Sequence, residues 1–211
     1  MFFRRYKALQ LLISLTLLIV ISPFFDETQE TAALVLTILF SLLLVSVVYV
    51  ATGGRHQLAI GALLAGAWLV LRWSSFFAEI ETAELVSDVA LVCFNIYAIG
   101  VSLKRIITAK EVVLDVIYGS AAVYLLLAVT WAVVYGIIEQ LAPGSFALKE
   151  SASGGRWIQL LYYSIVTQTT LGYGDVTPLS PVAQIWSALE ATLGVFYLGI
   201  LVARLVSIYR A

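Results

Sequence analysis

The chain has 211 residues, of which 62% are hydrophobic, and its 12 Lys and Arg residues nearly balance its 13 Asp and Glu residues. Charged residues make up only 12% of the chain, about half the share that water-soluble domains carry. This composition excludes an ordinary water-soluble domain, and the near-zero net charge offers no basic patch for nucleic acid. We therefore predict an all-α integral membrane protein.

Apolar runs of about 20 residues, the length needed to cross a bilayer, account for most of the chain. We predict six transmembrane helices, near residues 8–25, 32–52, 56–73, 83–103, 113–138 and 182–207. The first run follows the basic cluster Arg4-Arg5-Tyr6-Lys7 but is too long for a secretory signal, and no small-x-small cleavage site follows it. The single cysteine, Cys93, has no partner for a disulfide within the chain.

The charges of the loops predict the orientation of the helices. Basic residues mark the N-terminus, Arg55, the stretch 104–110 and the C-terminus, whereas the loops near 26–30 and 79–84 are acidic. Because Lys and Arg concentrate in cytoplasmic loops, both termini are predicted to be cytoplasmic. The protein is then a multi-pass protein of the plasma membrane.

A polar stripe follows the fourth predicted span. It consists of residues at spacings of four, three and four, namely Lys104, Thr108, Glu111 and Asp115. This spacing places them on one face of a helix otherwise rich in Ile and Val, which predicts an amphipathic linker helix over 104–115 along the inner membrane surface. The alternative is a simple extension of the fifth span.

Between the last two spans the chain leaves and re-enters the membrane. Residues 156–169 are too few to span it, so we predict a re-entrant helix. After this helix the chain reads Thr170-Leu171-Gly172-Tyr173-Gly174-Asp175. Glycine adopts left-handed and right-handed backbone conformations equally well. When these conformations alternate along the chain, consecutive carbonyls point the same way. Such a row of carbonyl oxygens replaces the hydration shell of K⁺, which predicts a selectivity filter with ion binding at residues 170–174.

The chain from residue 112 to its end resembles the pore domain of potassium channels. Tyr162–Thr169 looks like the family's pore helix, with Tyr162 and Tyr163 where the family usually carries two tryptophans. Gly194 lies nineteen residues past Asp175, where the family's inner helix often has its hinge glycine, and Gly199 falls at a second small position. The resemblance implies that the filter is supported by Asp175, Tyr162, Tyr163, Thr167 and Thr169. It also implies a homotetramer, because the family surrounds the ion with four filter strands.

The resemblance divides the chain into a four-helix domain over 1–103, the linker over 104–115 and the pore domain over 112–211. The first domain is similar to a voltage sensor in its number of helices, but Leu85–Leu103 contains no Arg or Lys. A sensor needs such charges, since each contributes about 2.3 kcal/mol per 100 mV. We therefore expect no conventional voltage gating. Asp88 is the one plausible intramembrane charge of this domain, and we interpret it as lying near the outer interface, facing Arg72.

Glu190 lies one turn before Gly194, deep in the last span. A carboxylate in lipid is costly, so it should face protein or a water-filled cavity. One interpretation is a ring of glutamates that concentrates cations in the cavity. The other, which we favour, has Glu190 hydrogen-bonded to pore-helix groups such as Thr167 or Gln168.

These patterns predict a potassium-selective channel that conducts K⁺ passively. It is not an enzyme, needs no cofactor, and has K⁺, membrane lipids and three identical chains as partners, with no soluble partner evident. A weakly selective cation channel is the alternative, because Leu171 replaces the commoner valine. A non-conducting membrane scaffold is a second alternative. A potassium-transporter subunit is disfavoured, because such proteins resemble four linked repeats. We expect no cytoplasmic sensor in the few residues after Arg204. Bending at Gly194, inactivation of the filter, lipid and membrane tension are the gating mechanisms that stay open. The candidate gating or inner-helix residues are Gly194, Gly199 and Glu190.

Overall fold

A computed structural model of the chain describes residues 7–24, 30–51, 55–78, 81–111, 113–149 and 155–209. Among these residues the secondary structure is helical apart from one isolated β-bridge between Phe146 and Pro178. The helices are α1 (Lys7–Ile21), α2 (Glu30–Ala51), α3 (Arg55–Ala78), α4 (Glu81–Thr108), α5 (Leu114–Leu141), α6 (Gly155–Gln168) and α7 (Pro181–Tyr209). The predicted all-α class is confirmed. The basic cluster at Arg4 and Arg5 and the acidic loop at Asp26 lie outside the described residues.

Five of the helices are long and apolar enough to cross a membrane, judged by length and composition within the described residues. They coincide with the first and the last four of the six predicted spans. The remaining prediction falls on α2, a helix of 22 residues whose described apolar stretch, Thr37–Val48, is shorter. A multi-pass helical membrane protein is therefore supported, and the count of six spans stays a prediction.

The first helix shows how the apolar helices pack. Leu11, Leu15 and Leu18 of α1 are buried at spacings of four and three, which places them on one stripe of the helix. The opposite side is also apolar, with Leu17 and Val20 about half exposed at 48% and 57%. A helix that is apolar on all sides suits a lipid surface.

Helices α1–α4, which we call the four-helix unit, pack against α5 of the same chain. Both α1 and α4 lie along α5, and one continuous core joins α1 to α5. Its fully buried members include Leu15, Leu44, Phe94, Val123 and Leu126. Pairing of the first four helices with the chain's own α5 fixes where the pore segment lies relative to them.

The connection between α4 and α5 differs from the predicted linker helix of residues 104–115. Helix α4 continues through Thr108, and α5 begins at Leu114, so among the described residues only 109–111 and 113 stand between them, and these are not helical. The polar stripe is therefore interrupted: Lys104 and Thr108 lie in α4, Asp115 lies in α5, and Glu111 lies in the break between them. Its last member, Asp115, accepts a hydrogen bond from the Ala8 backbone N–H in α1 at 3.0 Å. A carboxylate in the first turn of α5 also suits the helix dipole.

A second core, rich in aromatic residues, joins α5, α6 and the loops around them. Its members are Trp131, Tyr135, Ile138, Phe146, Leu160, Tyr163, Val176 and Ala183. The Tyr135 ring lies 5.1 Å from the Phe146 ring and 5.2 Å from the Tyr163 ring, centroid to centroid, in tilted arrangements that favour aromatic contact. This cluster packs α6 against α5, the start of α7 and the loops between them.

Candidate ion-conducting site

The short helix α6 ends directly at the predicted filter, residues 170–174, and the names filter and filter loop denote these residues below. It spans Gly155–Gln168, within one residue of the predicted re-entrant helix at each end. The Thr170 N–H donates to the Thr167 carbonyl at 2.9 Å, and the Leu171 N–H donates to the Val166 carbonyl at 3.0 Å. These two bonds form the Schellman arrangement that closes a helix C-terminus, which needs a left-handed residue just past the helix.

Thr170 is that left-handed residue, with φ of +59°. A β-branched residue rarely adopts this conformation, because its side chain crowds the following carbonyl, at a cost of about 1–2 kcal/mol. Within the described chain it is the one non-glycine residue with positive φ. Strain of this kind persists where the surrounding structure imposes it, and it is frequent at functional sites.

Backbone handedness alternates through the rest of the loop. Gly172 and Gly174 have φ of +59° and +80°, whereas Leu171 and Tyr173 between them have negative φ. Alternating handedness is the backbone pattern that allows successive carbonyls to point in one direction. The two glycines thus occupy the positions where the backbone conformation requires a residue without a side chain.

The loop that enters α6 and the loop that leaves the filter are joined to each other. The Leu179 N–H donates to the Ser145 carbonyl at 2.7 Å, and the Ala147 N–H donates to the Thr177 carbonyl at 2.9 Å. Glu139, at the end of α5, accepts hydrogen bonds from the N–H groups of Gly144 at 2.7 Å and Phe146 at 3.1 Å. Residues 170–174 are therefore held from both ends. Glu139 was not among the predicted residues, because a loop contact five and seven residues away leaves no mark in the sequence.

Asp175 follows the filter and bonds to α6. The Tyr162 hydroxyl donates to its carboxylate, and this bond holds the pKa of the Asp175 carboxyl below its usual value of 3.8. A hydrogen bond to the charged form favours that form. Tyr162 comes before the filter loop in the sequence and Asp175 comes after it, and the hydrogen bond brings these two predicted supporting residues together.

Two comparisons with known proteins bear on this site. Residues 112–211 match the family described as ion channel. A stretch of 47 residues is 43% identical to two pore potassium channel c of Oryza sativa subsp. japonica. Residues 112–211 therefore carry an ion-channel domain, which we call the pore domain.

The likeness to the rice protein is local. The matched stretch covers 22% of this chain and 10% of the rice protein. No solved structure matches the chain. The family match begins between α4 and α5 and contains α5, α6, the filter loop and α7, so the four-helix unit lies outside the pore domain.

Glu190 of the pore domain is buried within the chain, with none of its surface exposed. Its carboxyl group accepts hydrogen bonds from the Tyr135 hydroxyl of α5 and, at 2.5 Å, from the Ser164 hydroxyl of α6. The expected bonding to the pore helix is found, but the partners are Ser164 and Tyr135 rather than Thr167 or Gln168. The glutamate connects all three helices of the pore domain behind the filter.

Gly194 lies where α7 crosses the end of α6. A Cβ atom there would stand 2.3 Å from the Gln168 carbonyl oxygen and 3.0 Å from the Gln168 Cγ. The Gln168 amide in turn donates to the Tyr124 carbonyl of α5 at 2.8 Å. Gly194 therefore permits a close helix contact, and helix α7 continues through it without a break. Gly199 is exposed, and a Cβ there would meet nothing within 4 Å.

The other predicted supporting residues face the pore domain's interior to different degrees. The Tyr163 hydroxyl donates to the Ser187 hydroxyl of α7 at 2.6 Å and also bonds with Thr167. The Thr169 hydroxyl instead turns back to the Ile165 carbonyl at 2.6 Å. Tyr163 thus ties α6 to α7, whereas Thr169 only closes its own helix.

The far end of α7 contacts the four-helix unit. The Arg204 guanidinium donates to the carbonyls of Ile107 at 2.8 Å and Ala109 at 3.1 Å. These carbonyls lie at the C-terminus of α4, where the helix dipole favours a cation. The pore domain and the four-helix unit are therefore joined at the end of α7 as well as along α5.

Proposed function

We propose that four copies of this chain assemble into a channel that conducts K⁺ passively and selectively through residues 170–174. The observation that carries the proposal is the alternating handedness of Thr170, Gly172 and Gly174 at the end of a short buried helix. Backbone carbonyls aligned in this way replace the water of a desolvated cation. The C-terminus of α6 adds partial negative charge at the inner end of the loop.

The surface of the single chain supports assembly into a tetramer. Leu171 and Tyr173 of the loop are 57% and 68% exposed, and Gly172 and Gly174 are exposed beside them. A non-helical backbone cannot face lipid, because its polar groups would lack hydrogen bonds, so it must border protein or a water-filled path. Further copies around one axis supply both. The residues of α7 that would face the path are apolar and exposed, namely Val195, Leu198 and Val202.

The site residues follow from this proposal. Thr170, Leu171, Gly172 and Tyr173 supply carbonyls to K⁺, and Gly174 completes the alternation. Tyr162 and Asp175 fix the outer end of the loop, while Tyr163 and Glu190 fix α6 from behind. In this arrangement the protein lies in the plasma membrane with both termini cytoplasmic, requires no cofactor, and catalyses no reaction.

Two measurements on the purified protein test the proposal. Native mass spectrometry should report a mass four times that of the 23.0 kDa chain. Vesicles that contain the protein and are loaded with K⁺ should release K⁺ when a protonophore balances the charge. Vesicles loaded with Na⁺ should not release Na⁺ under the same conditions. A weakly selective cation channel would release both ions. A scaffold would assemble and release neither.

A further inference from the structure

A cavity of about 410 Å³ lies between the four-helix unit and the pore domain. It falls in the size range of ligand pockets, roughly 300–1,000 Å³. Helices α2, α3 and α4 form one wall, and α5 and α6 form the other. Because Gln140 is near the end of α5 and Arg156 is near the start of α6, the cavity lies at the end of the bundle where α6 begins.

The charges that line the cavity are balanced. Two acids, Glu84 and Asp88, lie one turn apart on α4, and two bases, Arg72 and Arg156, come from α3 and α6. Arg72 forms a salt bridge with Glu84 at 3.5 Å. Asp88 accepts a hydrogen bond at 2.9 Å from the neutral amide of Gln140 on α5. A lone anion would meet the two carboxylates, and a lone cation would meet the two guanidinium groups.

Aromatic and aliphatic side chains also line the cavity. The Phe40 ring lies 6.2 Å from the Trp68 ring and 5.2 Å from the Trp157 ring, centroid to centroid. Trp68 is 2% exposed, and its indole N–H finds no hydrogen-bond acceptor among the described residues. A buried tryptophan normally satisfies this group. Aromatic faces also attract ammonium groups.

We propose that this cavity binds a phospholipid with a zwitterionic head group, which carries a phosphate and an ammonium group. The ammonium group would pair with Asp88 beside the aromatic rings, and the phosphate would pair with Arg156, so each charge meets its opposite. The cavity's apolar walls suit the start of the acyl chains. Such a lipid bridges α4 to α6, the helix that carries the filter. The inference concerns binding alone and does not rest on ion conduction.

Native mass spectrometry of the full chain, purified in detergent and exchanged with one defined lipid at a time, tests this proposal. The lipids are phosphatidylethanolamine and phosphatidylcholine, which share the zwitterionic chemistry, and the anionic phosphatidylglycerol. Retention of about one zwitterionic lipid per chain, at least about fivefold above phosphatidylglycerol, is the expected result. Equal retention of all three lipids, or preference for phosphatidylglycerol, would overturn it. The two zwitterionic arms identify which ammonium group is preferred.

Three variants locate the bound lipid. Gly136→Leu fills the cavity without changing its charges, since a Cβ at Gly136 meets nothing within 4 Å. Asp88→Asn and Arg156→Gln each remove one charged partner. Retention should fall at least about fivefold in all three. Lys110→Gln and Glu111→Gln change exposed charges at the other end of α4 and should retain lipid as the unmodified chain does.

The variants remain informative if one of them folds poorly. Melting temperature in detergent identifies such a variant, and the remaining two then decide. Unchanged retention in a folded Gly136→Leu protein, or in both charge variants, would show that the lipid lies elsewhere and would refute the assignment.

Discussion

Gly194 of α7 lies against the backbone carbonyl of Gln168, the last residue of α6, so closely that a Cβ atom would stand 2.3 Å from the carbonyl oxygen. Helix α7 thus contacts the last residue of α6, two residues before the filter begins at Thr170. Packed interiors transmit displacements of this kind rather than absorb them. The position of α7 and the geometry at Thr170 are therefore linked through a contact between two backbones.

We predict that Gly194→Ala displaces either α7 or the end of α6. The clash is with a backbone atom, so no side-chain rotation relieves it, and overpacking of this kind costs about 1–3 kcal/mol. The melting temperature should fall by several degrees, and K⁺ flux should fall at least about tenfold. Gly199→Ala is the matched control, because its added Cβ meets nothing within 4 Å in the chain. Equal behaviour of the two variants would contradict the role assigned to the contact.

A second prediction concerns Glu190, which lies behind the filter, and compares a substitution that keeps its hydrogen bonds with one that removes them. Glu190→Gln keeps an oxygen that accepts from Tyr135 and adds an N–H that donates to Ser164, so it should fold and conduct nearly as the unmodified chain. Glu190→Leu removes the carboxylate that accepts from the buried Tyr135 hydroxyl, at a cost of about 1–3 kcal/mol, whereas the Ser164 hydroxyl keeps its bond to the Ala128 carbonyl at 2.8 Å. Its melting temperature should fall clearly below that of Glu190→Gln. A conducting, undiminished Glu190→Leu protein would show that the bonds are dispensable.

Tyr162→Phe should change the response of the filter to acid. Loss of the hydroxyl removes the bond that lowers the pKa of Asp175, so this pKa should rise toward 3.8. A carboxyl with a lowered pKa stays charged as pH falls, and the stabilising effect of its charge is lost only at a pH below its usual pKa. K⁺ flux measured from pH 6 to pH 3 should therefore decline at higher pH in Tyr162→Phe. Coincident pH profiles for the two proteins would contradict the bond's role.

The sequence predicted the helical class and the bounds of α6 within one residue, because these depend on local hydrophobic pattern and length. It also predicted left-handed backbone at Gly172 and Gly174, since only glycine adopts that conformation freely. The partners of Glu190 were not predicted correctly, because Tyr135 and Ser164 are 55 and 26 residues away and their distance depends on how three helices pack. The linker helix was predicted from spacing alone, and spacing does not reveal the non-helical break before Leu114.

The four-helix unit predicts weak voltage dependence. Between Leu85 and Leu103 no Arg or Lys is available to move through the membrane field, whereas sensors carry about three or four such charges per subunit. Conductance of the reconstituted protein should change less than about threefold between −100 and +100 mV. A steep conductance–voltage curve, equivalent to several gating charges per tetramer, would contradict this expectation.

The central claim is that residues 170–174 select K⁺, and the reversal potential of purified protein in a planar bilayer with K⁺ on one side and Na⁺ on the other tests it most directly. We predict a reversal close to the K⁺ equilibrium potential. Gly172→Ala should abolish the current, because alanine is strained at φ of +59°. Gly100→Ala, where a Cβ meets nothing within 4 Å, should leave the current unchanged. A reversal near zero, or a Gly172→Ala current like that of the unmodified chain, would contradict the claim.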